Sequence, residues 1–272
     1  MSLLEVENLK VLDIKTKEEI VKGVSFKLEK NTCLGIVGES GSGKSMTTKA
    51  ILGLISPNLK TEGLAIFDNK INLLKSNREE LRKIRGQRIC MILQDAMSAF
   101  DPLYTIGYQM IETLIENKNL SKFEAEELSI KSLEKMLINE PNEVIKKYPH
   151  QLSGGMLQRC MIALALSMNP DVIIADEPTT ALDSINQREV VEEFKRLRKV
   201  TGTSLIFISH DLGVVQHLAQ DILVMRKGEQ VEYGKVNDVF SNPKHEYTKY
   251  LVETRLELTK SFAKSMNKEV AV

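Results

Sequence analysis

The run Gly38-Glu39-Ser40-Gly41-Ser42-Gly43-Lys44-Ser45 has the residue types and spacing to hold a phosphate chain. Glycines let a backbone curl close to an anion, so that several N–H groups point at it. The apolar run Thr32 to Val37 before it reads as a buried strand. Lys44 to Leu54 after it reads as a helix, with Met46, Ala50, Ile51 and Leu54 at helical spacing. A helix start adds unpaired donors and a positive dipole end. In such a loop Lys44 is placed to bridge the β- and γ-phosphates, and the Ser45 hydroxyl to ligate Mg²⁺.

A second block carries the remaining chemistry. Leu152-Ser153-Gly154-Gly155-Met156-Leu157-Gln158 opens an apolar helix, with Ser153 as a good N-cap and two glycines that let a phosphate approach. The apolar strand Val172 to Ala175 then runs into Asp176-Glu177-Pro178. A carboxylate at such a strand end holds Mg²⁺ in P-loop enzymes, and the adjacent Glu177 is placed to polarise a water. Asp176 and Glu177 alone could be an acidic pair in a turn. Their neighbours, the glycine helix start and Ala181-Leu182-Asp183, argue for the catalytic reading.

Taken together these blocks resemble the ATP-binding-cassette (ABC) ATPases, in the family's order and over nearly the whole chain. Gly38 to Ser45 resembles Walker A. Gln94, after the apolar strand Ile89 to Leu93, resembles the Q-loop glutamine. Leu152 to Gln158 resembles the LSGGQ signature, with Met156 in place of glutamine. Val172 to Glu177 resembles Walker B with its catalytic glutamate, Ala181-Leu182-Asp183 the D-loop, and His210 the switch histidine.

The resemblance implies ATP and Mg²⁺ as cofactors and a division of labour. Gly38, Glu39, Ser40, Gly41, Ser42, Gly43, Lys44 and Ser45 would bind the ATP of their own subunit. Ser153, Gly154, Gly155 and Asp183 would complete the site across a head-to-tail dimer. Ser45, Gln94 and Asp176 would hold the metal. Glu177 would act as general base or water-orienting group, and His210, Gln94 and Lys44 would position the reacting groups. Family members usually stack adenine on an aromatic ring upstream of Walker A. The window Val11 to Ile14 has none, and Asp13 stands near the expected place.

Finer features resemble the peptide/nickel importer branch. Gln94 to Pro102 is similar to its QDPMxxLNP block, and Pro243 to Leu251 to its PxHPYTxxL segment, with Glu246 where proline is usual. Long peptide-importer subunits carry a cysteine-containing extension; no cysteine follows Cys160 here, which favours the shorter nickel and metal–metallophore (staphylopine-type) branch. That implies a second, related ATPase as heterodimer partner, two integral membrane permease subunits, an extracytoplasmic substrate-binding protein, and a place at the cytoplasmic face of the membrane. A soluble ABC ATPase acting on nucleic acid or ribosomes is the rival. Such proteins usually carry two cassettes or a coiled-coil interruption, and this chain has one uninterrupted cassette. A P-loop kinase leaves Ser153-Gly154-Gly155 unexplained.

Composition fits. Across 272 residues, 37 Lys+Arg balance 37 Asp+Glu, so no polybasic nucleic-acid surface is expected. Cys33, Cys90 and Cys160 sit in apolar contexts and read as small buried residues in a reducing compartment. No apolar run is long enough to span a bilayer, and Met1 to Glu5 is not a secretory signal.

The elements that must position these residues follow from periodicity. Leu3 to Lys30 alternates and suggests antiparallel strands, and Glu62 to Leu74 another hairpin-like pair. Ile106 to Ile115, Lys122 to Leu137 and Ser153 to Met168 read as helices broken by Pro102, Pro141 and Pro149. Strands Val172–Ala175, Ser204–Ile208 and Ile222–Met225 then alternate with helices Asn186 to Val200 and Leu212 to Gln220. The expected fold class is α/β: a P-loop NTPase ABC cassette, with a mixed, doubly wound sheet, an antiparallel β edge and an inserted helical subdomain. Residues 1–272 are expected to form one ATP-binding domain, with a core at 1–95 and 170–240, a helical part at 96–169 and a helical tail at 241–272.

Overall fold

The computed structural model describes residues 2–180 and 182–254. The chain starts with two long strands, β1 (Ser2–Asp13) and β2 (Glu19–Glu29), then the short buried β3 (Cys33–Val37) and helix α1 (Lys44–Ile51). Strands β4 (Leu59–Phe67) and β5 (Ile71–Asn72), helix α2 (Arg78–Ile84) and strand β6 (Ile89–Ile92) follow. Four helices come next: α3 (Ile106–Lys118), α4 (Lys122–Lys135), α5 (Pro141–Val144) and α6 (Gly154–Ser167). The chain returns to alternation with β7 (Val172–Asp176), α7 (Ser184–Thr201), β8 (Ser204–Ile208), α8 (Leu212–Leu218), β9 (Asp221–Arg226), β10 (Glu229–Lys235) and α9 (Val236–Ser241). Residues 246–254 are helical. The rest of the expected tail, 255–272, and Ala181 of the expected D-loop lie outside the described residues.

Two sheets result. One is antiparallel, in the order β2-β1-β4-β5; the other has six strands, in the order β10-β9-β3-β8-β7-β6. In the second, β6, β7, β8, β3 and β9 are parallel, and β10 alone runs antiparallel at the edge. The N-terminal antiparallel strands therefore form a layer of their own.

The parallel strands are apolar throughout because both faces are covered. Along β7, Ile173 and Ala175 join a cluster with the helices, including Leu157, Ile162, Phe194 and Val215. Val172 and Ile174 face the other way, into a cluster with β1, β2, β4 and α1. Phe207 of β8 meets Phe194 of α7 edge-on, with ring centroids 5.9 Å apart.

Local signals start the helices where expected, although α3 runs on to Lys118 and α4 stops at Lys135. Thr105 caps α3, Ser121 forms a capping box with Glu124 at α4, and Ser153 caps α6. Helix α2 and strand β10 went unread in the sequence. Asn77-x-x-Glu80, a capping box, was the available signal for α2. In β10, the polar edge strand Glu229 to Lys235 carries too few apolar residues to show a period. Among the described residues no helix is long and apolar enough to cross a membrane.

Cys33, Cys90 and Cys160 are buried and free, and burial pushes each thiol up to about 12. At about pH 8 all three therefore stay protonated and poorly nucleophilic. Iodoacetamide should leave the native chain unmodified and alkylate all three thiols once guanidinium unfolds it, as read by intact mass. Rapid alkylation of the native chain would contradict this burial.

Candidate nucleotide site

The parallel register gathers the site residues at the carboxyl ends of the strands, where open α/β sheets bind ligands. Gly38 follows β3, Gln94 lies just beyond β6, Asp176 ends β7 with Glu177 after it, and His210 follows β8. Ser40 to Met46, Ile20, Gln94, Glu177 and His210 line one cleft.

The loop is shaped by its neighbours. A Cβ on Gly38 would lie 2.1 Å from the Met225 carbonyl oxygen, so β9 sets how close the strand end approaches. Gly43 caps α1 at φ 98°, a left-handed conformation that favours glycine. No side chain caps α1, and its first turn holds no acidic residue. Among the described residues the buried Ser42 hydroxyl has no hydrogen-bond partner. This is a helix start with open donors, suited to an anion.

Lys44 is only 5% exposed. Its Nζ donates to the Gly38 and Glu39 carbonyls at 2.8 and 2.9 Å, and lies 4.0 Å from Glu177 Oε1. Burial lowers its pKa, opposed by the charges of Glu177, Asp176 and Glu39. Asp176 is buried as well. Desolvation raises its pKa, while the Ser45 hydroxyl, donating to Oδ1 at 2.7 Å, pulls it back down.

Glu177 is where the catalytic candidates converge. The Gln94 amide and the Thr180 hydroxyl each donate to Oε2 at 3.2 Å, and His210 Nδ1 lies 3.4 Å from the same oxygen. The residue holds φ at 46°, left-handed for a non-glycine, with its N–H bonded to the Ile208 carbonyl at 3.0 Å. A backbone in that region is typical of functional positions whose surroundings over-determine it.

Other expected residues lie apart. Ser153, Gly154 and Gly155 do not line this cleft: Ser153 caps α6 by accepting the Met156 N–H. Asp183 is exposed and caps α7, accepting from Ile185 and Asn186. Asp13, which stood near the expected adenine position, is occupied in the turn after β1. Its Oδ1 accepts the Lys15 and Thr16 N–H groups at 2.8 and 2.9 Å, and those bonds lower its pKa. Sequence reasoning missed Ile20, the apolar wall of the cleft, and Thr180. Only three-dimensional proximity marks either one.

Comparison with known proteins agrees with this geometry. The sequence pattern of the ABC transporter family matches residues 21–180. The metal-staphylopine import system ATP-binding protein CntD of Staphylococcus aureus (strain NCTC 8325 / PS 47) is 43% identical over 99% of both chains. The dipeptide transport ATP-binding protein DppD of Lactococcus lactis subsp. cremoris (strain MG1363) is 45% identical, over 93% of this chain and 73% of its own. The dimeric ATP-binding cassette MJ0796 in a post-hydrolysis state with ADP and Pi superimposes with a TM-score of 0.77 at 28% identity, covering 86% of this chain and 98% of its own. The chain belongs to the ABC transporter family. It is an ATP-binding, ATP-hydrolysing subunit.

Among the described residues no Phe, Tyr or Trp lines the cleft, so base selectivity should be loose. A good ring stack contributes about 0.5–1.5 kcal/mol beyond area burial. ATP and GTP should therefore compete for the purified chain with affinities within about tenfold, a spread of about 1.4 kcal/mol. A preference of about a hundredfold or more in competition binding would mean that another group reads the base.

Proposed function

We propose that this chain powers an ABC importer for peptides or for nickel and other metal–metallophore complexes, at the cytoplasmic face of the membrane. The convergence of Gln94, Thr180, His210 and Lys44 on the Glu177 carboxylate carries the catalytic part of that reading. Glu177 orients and deprotonates the attacking water. His210 and Gln94 hold that carboxylate in place, and Lys44 steadies the terminal phosphate. Catalysis is mostly positioning and charge stabilisation.

Mg²⁺ fits the donors present. Ser45 and Asp176 pair at 2.7 Å as hard oxygen ligands, with Gln94 in reach of the same cleft. Among the described residues no group of three His, Cys, Asp or Glu forms a self-sufficient metal cage. That suits Mg²⁺, which usually binds through one or two protein oxygens plus substrate phosphates. Its chemistry would be to neutralise charge on the phosphates.

We assign residues 1–95 and 170–240 to the catalytic core, 96–169 to a helical part and 241–272 to a tail. The working unit is a dimer with a second, related ATPase on two membrane permeases, served by an extracytoplasmic binding protein. Within one chain the Ser153 helix start and Asp183 stand away from the P-loop cleft, which supports their serving the partner's ATP. The match to the metal-staphylopine protein, 43% identical over 99% of both chains, supports metallophore cargo, and the 45% identity to the dipeptide protein keeps peptide cargo beside it.

Glu177→Gln should retain ATP binding and lose about 10²–10⁴-fold in turnover, the scale of a positioned general base. Phosphate release by the purified complex measures it, and near wild-type hydrolysis would sink the assignment. The partner surface has its own test. Leu103 and the stacked pair Tyr104 and Tyr108 are exposed beside Asp101, past the Gln94 loop. Charge reversal at Asp101 should abolish transport in proteoliposomes while basal ATPase activity persists. Transport by this variant at the wild-type rate, or by the wild-type chain with no second ATPase present, would contradict the proposed assembly.

A further inference from the structure

Tyr247 belongs to the segment Pro243 to Leu251, which served in the sequence only as a family marker. It is 3% exposed, and its hydroxyl accepts the backbone N–H of Glu39 at 2.9 Å. That N–H belongs to the Gly38–Glu39 peptide unit. The carbonyl of the same unit, Gly38 O, accepts Lys44 Nζ at 2.8 Å. One peptide plane is thus held at both ends, by a tyrosine of the C-terminal segment and by the phosphate-binding lysine.

The tyrosine is itself well anchored. The Arg226 guanidinium at the end of β9 lies 4.9 Å from its ring centroid. Its N–H donates to His245 Nδ1 at 3.1 Å. Glu232 of β10 accepts the N–H groups of Lys244 and His245 at 3.0 and 3.1 Å. The ring therefore rests on the same strand end that carries Met225, whose carbonyl abuts Gly38.

We infer that Tyr247 is a positioning residue for nucleotide binding: its hydroxyl fixes the Gly38–Glu39 peptide, and through it the seat of Lys44. An N–H turned toward Tyr247 is unavailable to a phosphate. The plane it belongs to must therefore present its carbonyl to Lys44. Rotating that plane would turn the Gly38 carbonyl away from Lys44 and leave the buried ammonium with one loop acceptor fewer. With the hydroxyl in place, rotation also leaves the Glu39 N–H without its acceptor, so the two penalties reinforce each other.

The inference rests on the chain being an ATP-binding subunit, and the test separates the two. Tyr247→Phe keeps the ring, its packing and its contact with Arg226, and removes only the hydroxyl. Titration of the purified full chain with a fluorescent ATP analogue should show affinity weakened by about tenfold, equivalent to about 1.4 kcal/mol. In the hydrolysing complex KM for ATP should rise by a similar factor while kcat stays within about twofold, the pattern of lost binding and not of lost chemistry. Unchanged affinity, or a fall in kcat with KM unaltered, would overturn the inference. A wild-type chain that binds no ATP would instead overturn the family reading.

If the variant fails to fold, amide exchange in the nucleotide-free wild type decides. The Glu39 N–H should exchange at least about tenfold more slowly than those of Ser40 and Gly41. Equal exchange rates would show that the tyrosine does not hold it.

Discussion

The structure turns on one buried ammonium group. Lys44 sits 5% exposed at a helix start, where dipole and desolvation both oppose a positive charge. It is kept there by two carbonyls of its own loop and by the nearby Glu177 and Asp176 carboxylates. A phosphate chain would bring further negative charge to the helix start and the lysine beside it.

The rest of the fold can be read as what this requirement demands. Four adjacent strand ends, those of β3, β8, β7 and β6, must bring Lys44, Gln94, Glu177 and His210 to one cleft. A parallel sheet does this because its strands all end on the same side. Burying the sheet on both faces is what fixes those ends, and the two hydrophobic clusters on either side of β7 provide it. The Ser153 helix start does not line the cleft. The cassette MJ0796, which this chain resembles, is dimeric in its post-hydrolysis state with ADP and Pi.

Much of the cleft was legible in the sequence because its parts are local. The P-loop, the Asp176–Glu177 strand end and the strand before His210 each declare themselves within about ten residues, through glycine spacing or an apolar run. Contacts that bridge the chain leave no such trace. Tyr247 meets Glu39 across 208 positions, and Thr180 is one more polar residue in a turn until its hydroxyl is seen beside Glu177. Asp13 was legible only as a non-aromatic residue near the place where a ring is usual; its Oδ1 accepts the N–H groups two and three residues on and so forms the turn after β1.

The cleft should recognise a polyphosphate and hold the base loosely. Calorimetric titration of the purified wild-type chain with ATP, ADP, AMP and adenosine tests it most directly. Affinity should follow the phosphate chain: ATP and ADP should bind, and AMP and adenosine should be weaker by about a hundredfold or more, equivalent to about 2.7 kcal/mol. Adenosine binding as tightly as ATP would contradict the account, because recognition would then lie in the base and the buried lysine would have no ligand to explain it.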